Sequence, residues 1–385
     1  MRITRYIAAW LIGGAIAENE GLETDALVAQ GLANLRAWVD QHGYPSPETC
    51  TWDKVVKRRE WSMLKRSEKL DYIGAVQCLG TLLAKTPASV ASGARSRYDD
   101  FVVTHILLTP YTHGNGNFLS WHRYYMWAYE QALRNECGYK GYLPYYNWPI
   151  WASDPKKSPL LDGSDTSLSG DGEYIPGRNS TCVPTAERCF VHVEPGTGGG
   201  CVTSGPFVNW TMNLGPIKSL DTTVPPNPSP DGLGYNPRCI KRDISIQSAL
   251  FTSDSLVASL ITSTPNISSF QDLLQNPSPG TLHIHLGGHN TISGDAGSDF
   301  YNSPSDPYFW LHHAMVDRVW WTWQNMDLEK RRFTIAGTLT FQNQPPTRNA
   351  TLEDVMTMGE WLGFQDIKVK DASSSLAGPF CYIYE

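Results

Sequence analysis

Eight of the ten histidines fall in two short windows: His105, His113 and His122, then His283, His285, His289, His312 and His313. Random placement would scatter them. A neutral imidazole nitrogen is a good ligand for copper, zinc, iron and nickel, so each window is a candidate metal site. His285 and His289 are four apart, which on a helix puts both rings on one face, where two nitrogens can meet one ion. The pair His283 and His285, two apart, would suit a strand better. Any one of these histidines standing alone would more readily be a hydrogen-bonded core residue.

The surroundings narrow the chemistry. The stretch His285-Leu286-Gly287-Gly288-His289 lacks the Glu beside its first histidine that a zinc protease uses as general base. No Asp or Glu is placed to complete a two-histidine, one-carboxylate iron site, and no Ser-His-Asp or Cys-His arrangement offers a nucleophile. Two groups of neutral imidazoles without an anionic ligand suit a pair of soft Cu(I) ions that share dioxygen.

The elements that must position these residues are helical. From Ser96 to Thr109, Tyr98, Phe101, Val102, His105 and Leu108 recur at helical spacing, putting His105 on the apolar face. A second helix, Asn117 to Glu136, carries Phe118, Trp121, His122, Tyr125, Tyr129 and Leu133 on one side. Thr24 to His42 and a segment after Ser67 read as amphipathic helices, and helical patterning returns at Ser245 to Leu260, at Ser268 to Gln275 and around His285 and His289. Ser305-Asp306-Pro307, an oxygen-bearing cap candidate followed by proline in the first turn, predicts the start of a helix holding Phe309, His312, His313 and Val316. Between Ala152 and Arg242 the composition shifts to Gly, Pro, Ser, Thr and Asn, predicting irregular, disulfide-stapled surface. After Gln324 the pattern is mixed and predicts strands.

Two motifs carry a family resemblance. His113-Gly114-Asn115-Gly116-Asn117-Phe118-Leu119-Ser120-Trp121-His122-Arg123, and Asp306-Pro307-Tyr308-Phe309-Trp310-Leu311-His312-His313-Ala314-Met315-Val316-Asp317-Arg318, resemble the two copper motifs of the tyrosinase, catechol oxidase and haemocyanin family. The resemblance implies a mainly α domain with a dicopper site inside a four-helix bundle, long stapled loops and a few short strands. It assigns His105, His113 and His122 to one copper and His285, His289 and His313 to the other, with His312, Phe309 and Asp317 as supporting or pocket residues. Arg58-Arg59-Glu60-Trp61 and Tyr382-Ile383-Tyr384 look like the family's core-closing motifs. The likeness spans most of residues 18–385 and thins between Ala152 and Arg242.

Departures from the family's pattern bear on activity. Where many fungal tyrosinases place a Cys that forms a thioether with the second ligand, this chain has Tyr111. Where monophenol hydroxylases often have Asn after the first ligand of the second copper, with a Glu nearby holding a water, it has Leu286 and Gln275. Asn290, after His289, is a polar candidate for orienting substrate. The expected activity is therefore that of a catechol oxidase: two o-diphenols become o-quinones as O2 is reduced to water. Tyrosinase or o-aminophenol oxidase activity is the alternative, and O2 carriage as in haemocyanin a remote one.

Composition fits this picture. Arg2 and Arg5 followed by a mostly apolar run and Ala15-Ile16-Ala17 read as a secretory signal over residues 1–17, leaving 18–385 as one catalytic domain without a C-terminal lid. Eight cysteines in a chain entering an oxidising compartment imply disulfides. Asn179, Asn209, Asn266 and Asn349 sit in N-glycosylation acceptor patterns, in keeping with an extracellular protein. No later stretch is long and apolar enough for a membrane helix, and a net charge of −7 without a basic stripe argues against nucleic acid. Small phenols are the expected partners; no feature speaks to oligomeric state.

Overall fold

The computed structural model describes residues 21–385; the expected signal segment 1–17 lies outside the described residues. The helices in chain order are α1 (Glu23–His42), α2 (Arg66–Leu79), α3 (Arg97–Thr112), α4 (Phe118–Cys137), α5 (Trp148–Trp151), α6 (Ile246–Ala249), α7 (Asp254–Ser263), α8 (Ile267–Gln275), α9 (His283–Ile292), α10 (Gly294–Gly297), α11 (Tyr308–Met326) and α12 (Leu328–Arg331). α3, α4, α9 and α11 form the histidine-bearing bundle, with α1 laid along α11 and α2 along α4.

Local chemistry explains the ends that matter. Ser96 accepts from the backbone of Asp99 while the Asp99 carboxylate accepts from Ser96 N, a reciprocal cap that starts α3. α11 starts at the predicted Ser305-Asp306-Pro307 segment. Ser305 belongs to a 3₁₀ turn (Ser303–Ser305), and the Asp306 carboxylate accepts from Tyr308 N at 2.9 Å. Asp306 also receives two hydrogen bonds from Arg242, both side chains buried, which ties the end of the loop region to the ligand-bearing helix. The predicted helix Ser245–Leu260 is broken into α6, a 3₁₀ turn and α7, where Ser253 turns extended (ψ 156°) before α7.

Among the described residues ten short strands make only two-stranded pairs. β1 (Val56–Arg58) lies parallel to β10 (Tyr382–Tyr384), so the two core-closing motifs of the sequence pair with each other, clamped by the Cys50–Cys381 disulfide. The loop region Ala152–Arg242 is less irregular than its composition suggests: β2 (Gly172–Tyr174) pairs with β5 (Gly199–Val202), β3 (Thr181–Pro184) with β4 (Cys189–Val193), and β6 (Thr211–Met212) with β7 (Arg238–Cys239). Cys182–Cys189 and Cys201–Cys239 staple it, and Cys78–Cys137 joins α2 to the end of α4. The tail is not strand-rich. Beyond α12 it has β8 (Val355–Met356), β9 (Ile367–Lys368) and β10 among 3₁₀ turns, because its Gly- and Pro-punctuated sequence gives no run long enough for a ladder.

A large aromatic core surrounds the bundle; Trp61, Trp121, Trp148, Trp310, Trp321 and Trp323 are all fully buried. A smaller cluster, Val183, Val191, Val193 and Leu282, sits beneath the β3–β4 hairpin. Among the described residues no helix is long and apolar enough to cross a membrane.

Candidate metal centre

His105 projects from mid-α3, His113 caps its C-terminal end and His122 lies one turn into α4. All three are buried. Each is oriented through Nδ1 by a backbone carbonyl: Tyr301 O at 2.7 Å for His105, Thr109 O at 3.3 Å for His113 and Phe118 O at 2.7 Å for His122. A carbonyl only accepts, so each Nδ1 carries the proton and each Nε2 keeps its lone pair. The Nε2 atoms of His105 and His122 are buried with no partner. Polar atoms rarely stay buried and unpaired, so these call for an occupant.

The second group is tighter. His285 and His289 share one face of α9 and His313 comes from α11, and their Nε2 atoms lie 3.1, 3.1 and 3.4 Å apart. That spacing matches three ligands on one ion at about 2.0 Å each. His283 is not part of the group: it opens α9 with φ 56° and turns its ring to Ser278 and Asp272, so the four-residue helical spacing prevails over the strand-like pair. His312 is close, its ring centroid 4.3 Å from that of His289, but it stacks between Tyr308 and Trp148, and neither of its nitrogens has a hydrogen-bond partner. A Cβ on Gly288 would come within 2.2 Å of the His312 ring, so this glycine makes room for it.

The two groups face each other. His122 and His313 stack with centroids 4.5 Å apart. Both groups consist of histidines alone. Burial, reinforced by neighbouring imidazoles, disfavours protonation: His289 is pushed down to about 3 and His105 to about 4 by desolvation, and His113, His122, His285 and His313 fall well below the ordinary histidine value. Neutral imidazoles gathered this closely form a donor set for soft or borderline metal ions rather than for hard, oxygen-seeking ones.

A cavity of about 820 Å³ reaches His113, His285 and His289 from the surface. Leu286, Asn290 and Gln275 line it. Gln275 Oε1 accepts from Gly114 N at 3.1 Å. Asn290 Nδ2 donates to Leu286 O, leaving its buried Oδ1 unpaired beside the cavity. The other two candidates for a supporting or pocket role, Phe309 and Asp317, lie outside the cavity lining. Phe309 packs beneath the imidazoles, 4.2 Å from His313 and 5.2 Å from His105 between centroids, and does not reach the cavity. Asp317 lies deeper in the bundle, accepting from Arg123 Nε and from the Tyr382 and Tyr384 hydroxyls. Tyr111 is half exposed on the outside of α3.

Phe300, whose ring meets His113 edge-on at 4.8 Å, and Phe341, tilted against Phe300 at 5.2 Å, were not singled out by the sequence. Phe300 stands in a turn and Phe341 in a three-residue 3₁₀ turn, where no periodicity could mark them. Asn179, Asn209, Asn266 and Asn349 are exposed; Asn266 caps α8 through Oδ1, which leaves its Nδ2 free.

The sequence model for the common central domain of tyrosinase matches residues 95–326. The tyrosinase-like protein orsC of Emericella nidulans is 43% identical over 327 residues, covering 82% of this chain and 86% of that protein. Tyrosinase P of Aspergillus terreus is 38% identical over 330 residues, covering 85% and 91%. Among solved structures, a polyphenol oxidase variant from Thermothelomyces thermophila aligns with a TM-score of 0.87 at 40% identity, over 94% of this chain and 98% of that one.

Proposed function

The chain belongs to the tyrosinase family of type-3 copper polyphenol oxidases, and on that footing we propose that it is a catechol oxidase in which His105, His113 and His122 hold one copper and His285, His289 and His313 the other. The observation that carries the ligand assignment is the convergence of the three Nε2 atoms of His285, His289 and His313, matched by the unpaired Nε2 atoms of His105 and His122, whose rings backbone carbonyls orient through Nδ1. Bound copper supplies the redox couple and Lewis acidity needed to pass electrons from two o-diphenols to O2, giving two o-quinones and two waters.

The protein's own residues position and select. Phe118 and Phe309 pack against His285 and His313 and help hold those rings in place. Asn290 Oδ1 accepts a hydrogen bond from a substrate hydroxyl. Leu286 and Gln275 offer no ionisable group to take a proton from an entering monophenol, because an aliphatic chain and an amide cannot act as bases. Diphenols are accordingly the preferred substrates. Copper-loaded protein is expected to oxidise catechol at once and tyramine slowly after a lag, followed by absorbance of the quinone. Prompt ortho-hydroxylation of tyramine would reject the catechol oxidase reading in favour of a tyrosinase. The double variant Leu286→Asn with Gln275→Glu should raise the monophenol-to-diphenol activity ratio by at least about tenfold.

The same reading takes residues 1–17 as a secretory signal and 18–385 as the catalytic domain, supported by the four disulfides and the exposed acceptor asparagines. Secreted protein should gain electrophoretic mobility on endoglycosidase treatment, and replacing Asn179, Asn209, Asn266 and Asn349 by Gln should remove that shift. A shift of unchanged size in the fourfold variant would show that none of these positions is glycosylated.

A further inference from the structure

The cavity above the histidines, at about 820 Å³, is near the upper end of the roughly 300–1,000 Å³ of sites that enclose drug-sized ligands. A single dihydroxybenzene ring fills only a small part of it. The remaining space is walled by Val183, Pro184, Arg188 and Phe190 of the β3–β4 hairpin and by Ile217 and Leu220.

The hairpin is built as a wall rather than a loose loop. Its strands pair from Thr181↔Val193 to Pro184↔Cys189, and the Cys182–Cys189 bridge crosses it. Phe190 O accepts from Gly280 N at 3.0 Å, and His192 O accepts from Gln247 Nε2 at 2.8 Å, so the hairpin is pinned to two neighbouring segments. Its buried valines form their own small core, against which Phe190, Leu220 and Leu286 pack. Leu286 directly follows His285, so one continuous apolar surface runs from the histidine centre to the hairpin. The Arg188 guanidinium lies 4.8 Å from the Phe190 ring centroid, giving that surface a flat cationic and aromatic end. A wall ordered before binding spares the ligand the cost of ordering it.

We propose that the substrate is an o-diphenol carrying a second ring on the side away from its hydroxyls, and that Phe190, Arg188 and Leu220 receive that ring while the diphenol end lies at the histidines. The second ring is bound, not transformed; the oxidation remains two diphenols to two quinones as O2 becomes water. This inference rests on the diphenol oxidase reading and narrows its substrate class.

The test is steady-state oxidation of catechol and 4-phenylcatechol by the copper-loaded full chain. KM for 4-phenylcatechol should be at least about tenfold below that for catechol. Phe190→Ala should bring the ratio of the two KM values close to one, and so should the pair Cys182→Ser with Cys189→Ser, which frees the wall without touching the apolar surface. The ratio within one preparation is insensitive to the fraction folded, so a general loss of stability cannot imitate this result. Equal KM values in the unaltered chain, or a ratio untouched by both variants, would overturn the inference while leaving catechol oxidation standing. Oxidation of neither diphenol would overturn the functional reading and this inference with it.

Discussion

Replacing His289 with alanine is expected to reduce copper from about two ions per chain to about one and to bring catechol oxidation to background. His289 Nε2 is the nearest neighbour of both other nitrogens in its group, at 3.1 Å from each, so its loss leaves two imidazoles 3.4 Å apart with the third corner open. The effect should be on metal and activity rather than fold, because no hydrogen bond from His289 to the rest of the protein holds α9 in place. Metal analysis together with far-ultraviolet circular dichroism checks this. His312→Phe is the matching control. A ring of similar shape preserves the stack on Tyr308 and Trp148, and both coppers should remain. If His312→Phe lost a copper and His313→Ala kept both, the ligand assignment on α11 would be reversed.

Replacing Asp317 with alanine should be the most destabilising single change, at about 3–5 kcal/mol, the usual cost of removing one partner from a buried ion pair. Asp317 is buried and accepts from Arg123 Nε at 2.7 Å and from the hydroxyls of Tyr382 and Tyr384, with Arg58 at 3.7 Å. Both arginines are fully buried, so the variant strands positive charge in the core. It also cuts the link between α11 and β10, the strand that closes the fold against β1. Urea unfolding of the copper-free chain measures the loss. Leu83→Ala, at an exposed position, should change stability by less than about 0.5 kcal/mol and serves as reference.

The histidine centre was largely legible because helical spacing acts over a few residues. His285 and His289 had to share a face once α9 formed, and the apolar periodicity around His105 and His122 turned them inward. What depended on distant partners was not legible. Asp317 sits in a recognisable motif, yet its tie to Tyr382 and Tyr384 spans more than sixty residues along the chain. Phe309 sits in the same motif and packs against His313, one helical turn further on, in the supporting position the motif left open. Least legible was the β3–β4 hairpin. Its turn-rich sequence reads as loop, and its order comes from a short disulfide and a private apolar core contributed partly by Leu282, far along the chain.

The proposed pair of histidine-held coppers couples diphenol oxidation to O2 reduction. Its most direct test measures O2 uptake and quinone formation together on the copper-loaded chain, before and after chelation. The expected result is about one O2 consumed per two quinones without accumulation of hydrogen peroxide, abolished by chelation and restored by copper but not by zinc. Quinone formation that survives chelation, or one hydrogen peroxide released per quinone, would contradict it.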